Sequence, residues 1–129
     1  MDDRKDLIAL SHALRKLHQA LVGVARREYE AEWGEVDPGQ LLQLLTKHPG
    51  FEWLRELSGL MTYIDELTDE HDIGAEAAQA VRATAKKLLL PGSGPASSSP
   101  FTQRYREILQ AEPLVVMEHA AVRKLLDRS

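Results

Sequence analysis

An all-α fold follows from three features of the sequence. Apolar residues recur at spacings of three and four, strand signals are nearly absent, and capping residues stand where the periodic stretches begin and end. The expected architecture is an antiparallel helical bundle of four main helices. A short extra helix follows the first, and the C-terminal helix is kinked. At 129 residues the chain reads as one domain, long enough to bury a core without cross-links.

The first helix is predicted over Asp3 to Trp33. Leu7, Leu10, Leu14, Leu17, Leu21 and Val24 fall in one stripe along it. Asp2, Asp3 and Asp6 suit the positive end of its dipole, and Gly34 is the expected stop. Such a helix is about 45 Å long. Either its end projects or another segment runs beside it. Asp37-Pro38-Gly39-Gln40 reads as a capped start for a second helix, Pro38 to Lys47. Leu41, Leu42, Leu44 and Leu45 cover more than one of its faces, so this helix is expected to be largely enclosed.

His48-Pro49-Gly50 breaks the pattern. A third helix follows from Pro49 or Phe51 to Thr68, with Trp53, Leu57, Leu60, Met61, Ile64 and Leu67 on its stripe. Ser58-Gly59 inside it suggests close approach of a neighbour, since glycine there costs up to about 1 kcal/mol relative to alanine. A fourth helix is expected from Ile73 to Leu90, with Ile73, Ala77, Ala80, Val81, Thr84, Ala85, Leu88 and Leu89 inward. The Ser/Gly/Pro tract at 91–100 reads as a flexible connection. The last segment divides at Pro113, which restarts or kinks the chain, into Pro100 to Gln110 and Glu112 to Leu126.

Bulk properties exclude several functions. The net charge of −4 argues against general nucleic-acid binding, which depends on neutralising phosphates. The absence of cysteine excludes disulfides, thiolate metal sites and thiol nucleophiles. The start Met1-Asp2-Asp3-Arg4-Lys5-Asp6 lacks a signal-peptide pattern, and no apolar run approaches the roughly 20 residues of a membrane span. A cytoplasmic protein of bacterial type, bound to neither nucleic acid nor membrane, is expected.

The leucine stripe of the first helix, carried forward, reaches Glu28 and Glu32, with His18 on its flank. His119 shares a face with Val115, Val122 and Leu126, and His71 continues the stripe of the third helix. Glu28, Glu32, His18, His71 and His119 are therefore the candidate ligands for a divalent metal, since helical bundles build metal sites from inward glutamates and histidines. The Glu-x-x-His spacing of di-iron bundles is missing. The residues three before the five histidines are Ala9, Arg15, Leu45, Thr68 and Val116. The hemerythrin-like spacing occurs only at His48 and Glu52, with Pro49 between them. A glutamate pair at a helix end is more often solvated and locally ion-paired.

Other constellations are weaker. Gly92-Ser93-Gly94 lacks the context of a nucleophile elbow. Ser11 and His12 point in different directions, and no lysine completes a phosphate loop. A helix-turn-helix reading would expose Glu52, Arg55 and Glu56, a poor match to phosphate. Of Trp33, Phe51, Trp53, Tyr63, Phe101, Tyr105 and Met117, most sit on helical stripes as core; Trp33 is the exception, lying off the ladder face and free to cover the second helix or a partner. No catalytic constellation is complete, and no cofactor is implied. The expected function is a non-enzymatic interaction or regulatory module, acting as a homodimer or with a protein partner. The alternative is a metal- or small-ligand-binding bundle.

Overall fold

The computed structural model describes residues 3–69, 73–89 and 100–127. The tract from Pro91 to Ser99, and His71 with it, lie outside these residues. The elements are α1 (Asp3–Trp33), α2 (Pro38–Lys47), a 3₁₀ helix η1 (Pro49–Leu54), α3 (Arg55–Asp69), α4 (Ala75–Leu89), α5 (Pro100–Ala111) and α6 (Pro113–Asp127). Among the described residues there is no strand, and no helix is long and apolar enough to cross a membrane.

The stripe of α1 forms the spine of the core. Leu7, Leu14, Leu17 and Leu21 are fully buried, and Leu10 and Val24 nearly so. They meet Leu57, Ile64 and Leu67 of α3, Val81 and Ala85 of α4, Phe101 and Tyr105 of α5, and Val115, Val122 and Leu126 of α6 in one cluster. Polar contacts fix the order of pairing. The Arg4 guanidinium donates to the Thr68 carbonyl, Ser11 Oγ to Asp65 Oδ1 at 3.1 Å, and His18 meets Ser58 at 3.0 Å, so α3 runs back along α1. Arg27 of α1 pairs with Glu112 just before α6, whereas Arg82 joins Asp6 of α1 (3.2 Å) to the Leu125 carbonyl (3.3 Å). Thus α6 also runs back beside α1, and the length of α1 is matched by neighbours on two sides.

Local chemistry sets the ends. Gly34 takes the left-handed conformation, φ 92°, and its N–H donates to the Glu30 carbonyl at 2.9 Å. Asp37 and Gln40 form a reciprocal cap, with N–H donors 2.8 and 3.1 Å from the side-chain oxygens. Glu30 accepts from the Val36 N–H at 3.0 Å while Arg26 donates to the Val36 carbonyl at 2.8 Å. This clamp fixes the turn from α1 into α2. Thr102 reaches back to the Leu88 carbonyl at 3.4 Å, satisfying an open acceptor at the end of α4.

Several expectations need correction. Helix α2 has no buried residue: Leu41, Leu44 and Leu45 are half-buried and Leu42 is 65% exposed. Among the described residues its leucines touch the core from one side only, and α5 and α6 pack against other elements. The third helix opens as 3₁₀ rather than α. There the Trp53 indole N–H donates to the Gly50 carbonyl (3.0 Å) and His48 Nδ1 accepts from the Gly50 N–H (2.9 Å). Among the described residues nothing lies within 4 Å of where a methyl group on Gly59 would stand, so no neighbour makes the close approach there. In α4, Ala80 and Thr84 face outward and Ala78 takes the inward position.

Pro113 restarts the chain. Tyr105 Oη lies 2.6 Å from His119 Nδ1, although fourteen residues of continuous helix would separate them by about 21 Å. The two helices therefore turn sharply at Glu112 and fold onto each other.

Candidate functional site

The last two turns of α1 carry two columns of side chains. Glu28 and Glu32 form one, Tyr29 and Trp33 the other, each at a spacing of four, and the columns lie side by side on the helix. His48, Pro49, Gly50, Phe51 and Trp53 of the α2–η1 corner face them, and Arg104 of α5 closes one side. Between these groups lies a cleft of about 320 Å³. Tyr29 organises its wall: its ring meets His48 edge-on at 5.3 Å, Phe51 at 6.2 Å and Trp33 at 6.5 Å. A second cleft, about 390 Å³, lies between Tyr29, Val36, His48 and the polar flank of α2, lined by Gln40, Gln43 and Lys47. A third, about 380 Å³, lies between α1 and α5. Ion pairs line it: Arg27 with Glu112, and Arg104 with both Glu28 and Glu107, the latter at 3.0 Å. Hydrogen bonding to Glu28 is the main reason that Arg104 holds its proton above the usual arginine range.

The candidates named from sequence have separate surroundings. Glu28 is occupied by Arg104. Glu32 is exposed at the edge of the aromatic cleft. His18 sits half-buried between α1 and α3, where Ser58 Oγ also donates to the Leu54 carbonyl at 3.2 Å. The single hydroxyl proton is thereby used, so His18 Nε2 is the donor to Ser58. His119 sits at the core edge against Tyr105, and neither histidine lines the three clefts. His71 lies outside the described residues. Among those residues no three histidines or carboxylates stand together as a metal-holding group.

Sequence reading missed Tyr29, His48 and Arg104 as parts of the site. The Glu-Tyr…Glu-Trp doublet, repeated after four residues, was a usable signal for Tyr29. Arg104 carried none, because its partner Glu28 is 76 positions away.

Both half-buried histidines couple folding to pH. Burial lowers the His18 pKa below the ordinary 6.5; burial, and then the charge of Arg123, lowers that of His119. Between those depressed values and 6.5 the unfolded chain binds more protons, so stability rises with pH there. Thermal unfolding is therefore expected at lower temperature near about pH 5.5 than near about pH 7.5. Gln at both positions should flatten that difference, and an unchanged pH slope in the double variant would contradict the assignment.

Comparison with family models, with curated proteins and with solved structures returned no match.

Proposed function

We propose that this chain is a non-enzymatic helical interaction module of the cytoplasm. In this reading α1, α3, α4 and α6 are the four main helices of an antiparallel bundle, and α2 is the contact element. The protein acts as a homodimer or with a protein partner. The observation that carries the proposal is the state of α2: four of its ten residues are leucine, yet none is buried. Leu42 stands out at 65% and Trp33, just before the turn, at 68%.

Other exposed apolar groups support the same end of the molecule. Leu114 and Met117 begin α6 just after Glu112, whose carboxylate meets Arg27 of α1. They therefore also lie toward the C-terminal half of α1. A contiguous exposed apolar patch favours a protein contact over solvent.

Sedimentation velocity across a concentration series tests this. Self-association, or a defined complex with a partner, is expected. Leu42→Ser should weaken it at least about tenfold while shifting folding stability by no more than about 0.5 kcal/mol, because the side chain is exposed in the free chain. A strict monomer at all concentrations, with no partner in a stoichiometric complex, would overturn the proposal.

A further inference from the structure

The cleft at the end of α1 combines three features that favour one class of ligand. Its walls are aromatic: Tyr29, Trp33, Phe51 and Trp53 all line it, and Trp33 is 68% exposed. Ring faces attract cations through their quadrupole, tryptophan most strongly. Its charge is incompletely neutralised. Among the described residues, Arg104 is the one cationic guanidinium in the lining and is held by Glu28 and Glu107, whereas Glu32 makes no ion pair. His48 uses Nδ1 to accept the Gly50 N–H at 2.9 Å and so carries no proton there. The third feature is the helix end itself. The last turn of this 31-residue helix holds no basic residue, although a helix C-terminus is the negative end of the dipole and favours cations. Glu32 makes that end more negative still, whereas Glu30 is paired with Arg26 at 3.4 Å.

We infer that the cleft bounded by Glu32, Trp33, Tyr29 and Trp53 binds a compact organic ammonium ion. The ammonium carbon shell would lie against the rings while its charge faces Glu32 and the end of α1. A cleft of about 320 Å³ has room for an alkylated ammonium head. The rings reward its apolar surface in a way that a small inorganic cation, with its tightly held water, cannot match. The cleft shares Trp33 with the surface proposed for interaction, but Leu42 is not in its lining, so Leu42→Ser, which tests the contact role, leaves the cleft intact and separates the two. The same ammonium chemistry is carried by a free small molecule or by the side chain of a methylated lysine.

Both tryptophans of the chain line this cleft, so intrinsic fluorescence reports on it directly. The full chain is titrated at constant ionic strength with tetramethylammonium chloride, sodium chloride and neutral tert-butanol. A saturable change with tetramethylammonium alone is expected, at a dissociation constant of roughly 1–10 mM. Trp33→Leu should abolish it, read from Trp53, and Glu32→Gln should weaken it roughly threefold or more. Both side chains are exposed, so unchanged melting temperatures will establish that the variants are folded. Absence of saturation, an equal response to tert-butanol, or an undiminished response in Trp33→Leu would overturn the inference. A tripeptide with trimethyllysine at its centre separates the two sources. Tighter binding than the free salt supports a protein side chain as ligand, and equal or weaker binding supports a free small molecule.

Discussion

Leu17→Ala is expected to destabilise the protein by about 2–5 kcal/mol, the range for removing a buried leucine side chain and leaving part of its volume empty. Leu17 has no exposed surface and lies midway along the α1 stripe, within the core cluster that joins α1, α3, α4, α5 and α6. Local collapse cannot close the gap cheaply, because α3 and α6 hold α1 from two sides. A loss near 3 kcal/mol should lower the melting temperature by roughly 10 °C in a chain of this size. Leu17→Met, which nearly conserves volume, should cost under about 1.5 kcal/mol. The check is chemical denaturation of the three proteins side by side. A Leu17→Ala loss below about 1 kcal/mol would mean that the stripe does not face a packed core.

Tyr105 heads the fully buried side chains by size, and its replacement separates packing from hydrogen bonding. Its ring stacks on Phe101 at 5.2 Å and 21°, Phe101 in turn lies 5.9 Å from Trp53, and the hydroxyl reaches His119. Tyr105→Ala should cost about 3–5 kcal/mol by loss of the ring. Tyr105→Phe should cost only about 1–3 kcal/mol, the penalty for leaving the His119 nitrogen without its partner. Burial raises the Tyr105 pKa well above that of a free tyrosine, so the phenol stays protonated and donates while His119 is neutral. Equilibrium unfolding of both variants decides the matter: equal losses would show that the hydroxyl, not the ring, fastens α5 to α6.

The two sites of greatest interest were unequally legible in the sequence. The end of the leucine stripe at Val24 and its passage into Glu28 and Glu32 is a local pattern, visible from spacing alone. Its meaning was not. Glu28 looked like an inward ligand, but Arg104, brought by α5 from 76 positions away, turns it into half of an ion pair. Trp33 stood out because it lay off the ladder face. Its company of Tyr29, His48 and Trp53 required η1 to fold back over the end of α1. The histidines divided in the same way. The position of His119 at the core edge followed from Val115, Val122 and Leu126 on its face, whereas its bond to Tyr105 depended on the sharp turn at Glu112.

The sequence by itself determined the helices and most of their ends. Periodicity, the Asp37–Gln40 cap, Gly34 and Pro113 act over a few residues, and short-range hydrogen bonds and backbone geometry decide their outcome. Only the tertiary structure decided which apolar faces are covered. The leucines of α2 and those of α1 are equally hydrophobic, but α3 and α6 dock along α1, whereas among the described residues Leu41, Leu44 and Leu45 of α2 are only partly covered and Leu42 is exposed. Burial is a property of pairs of distant segments, and a helix's own pattern does not specify which partner arrives. The surface proposed for interaction and the aromatic cleft beside it both come from that long-range choice.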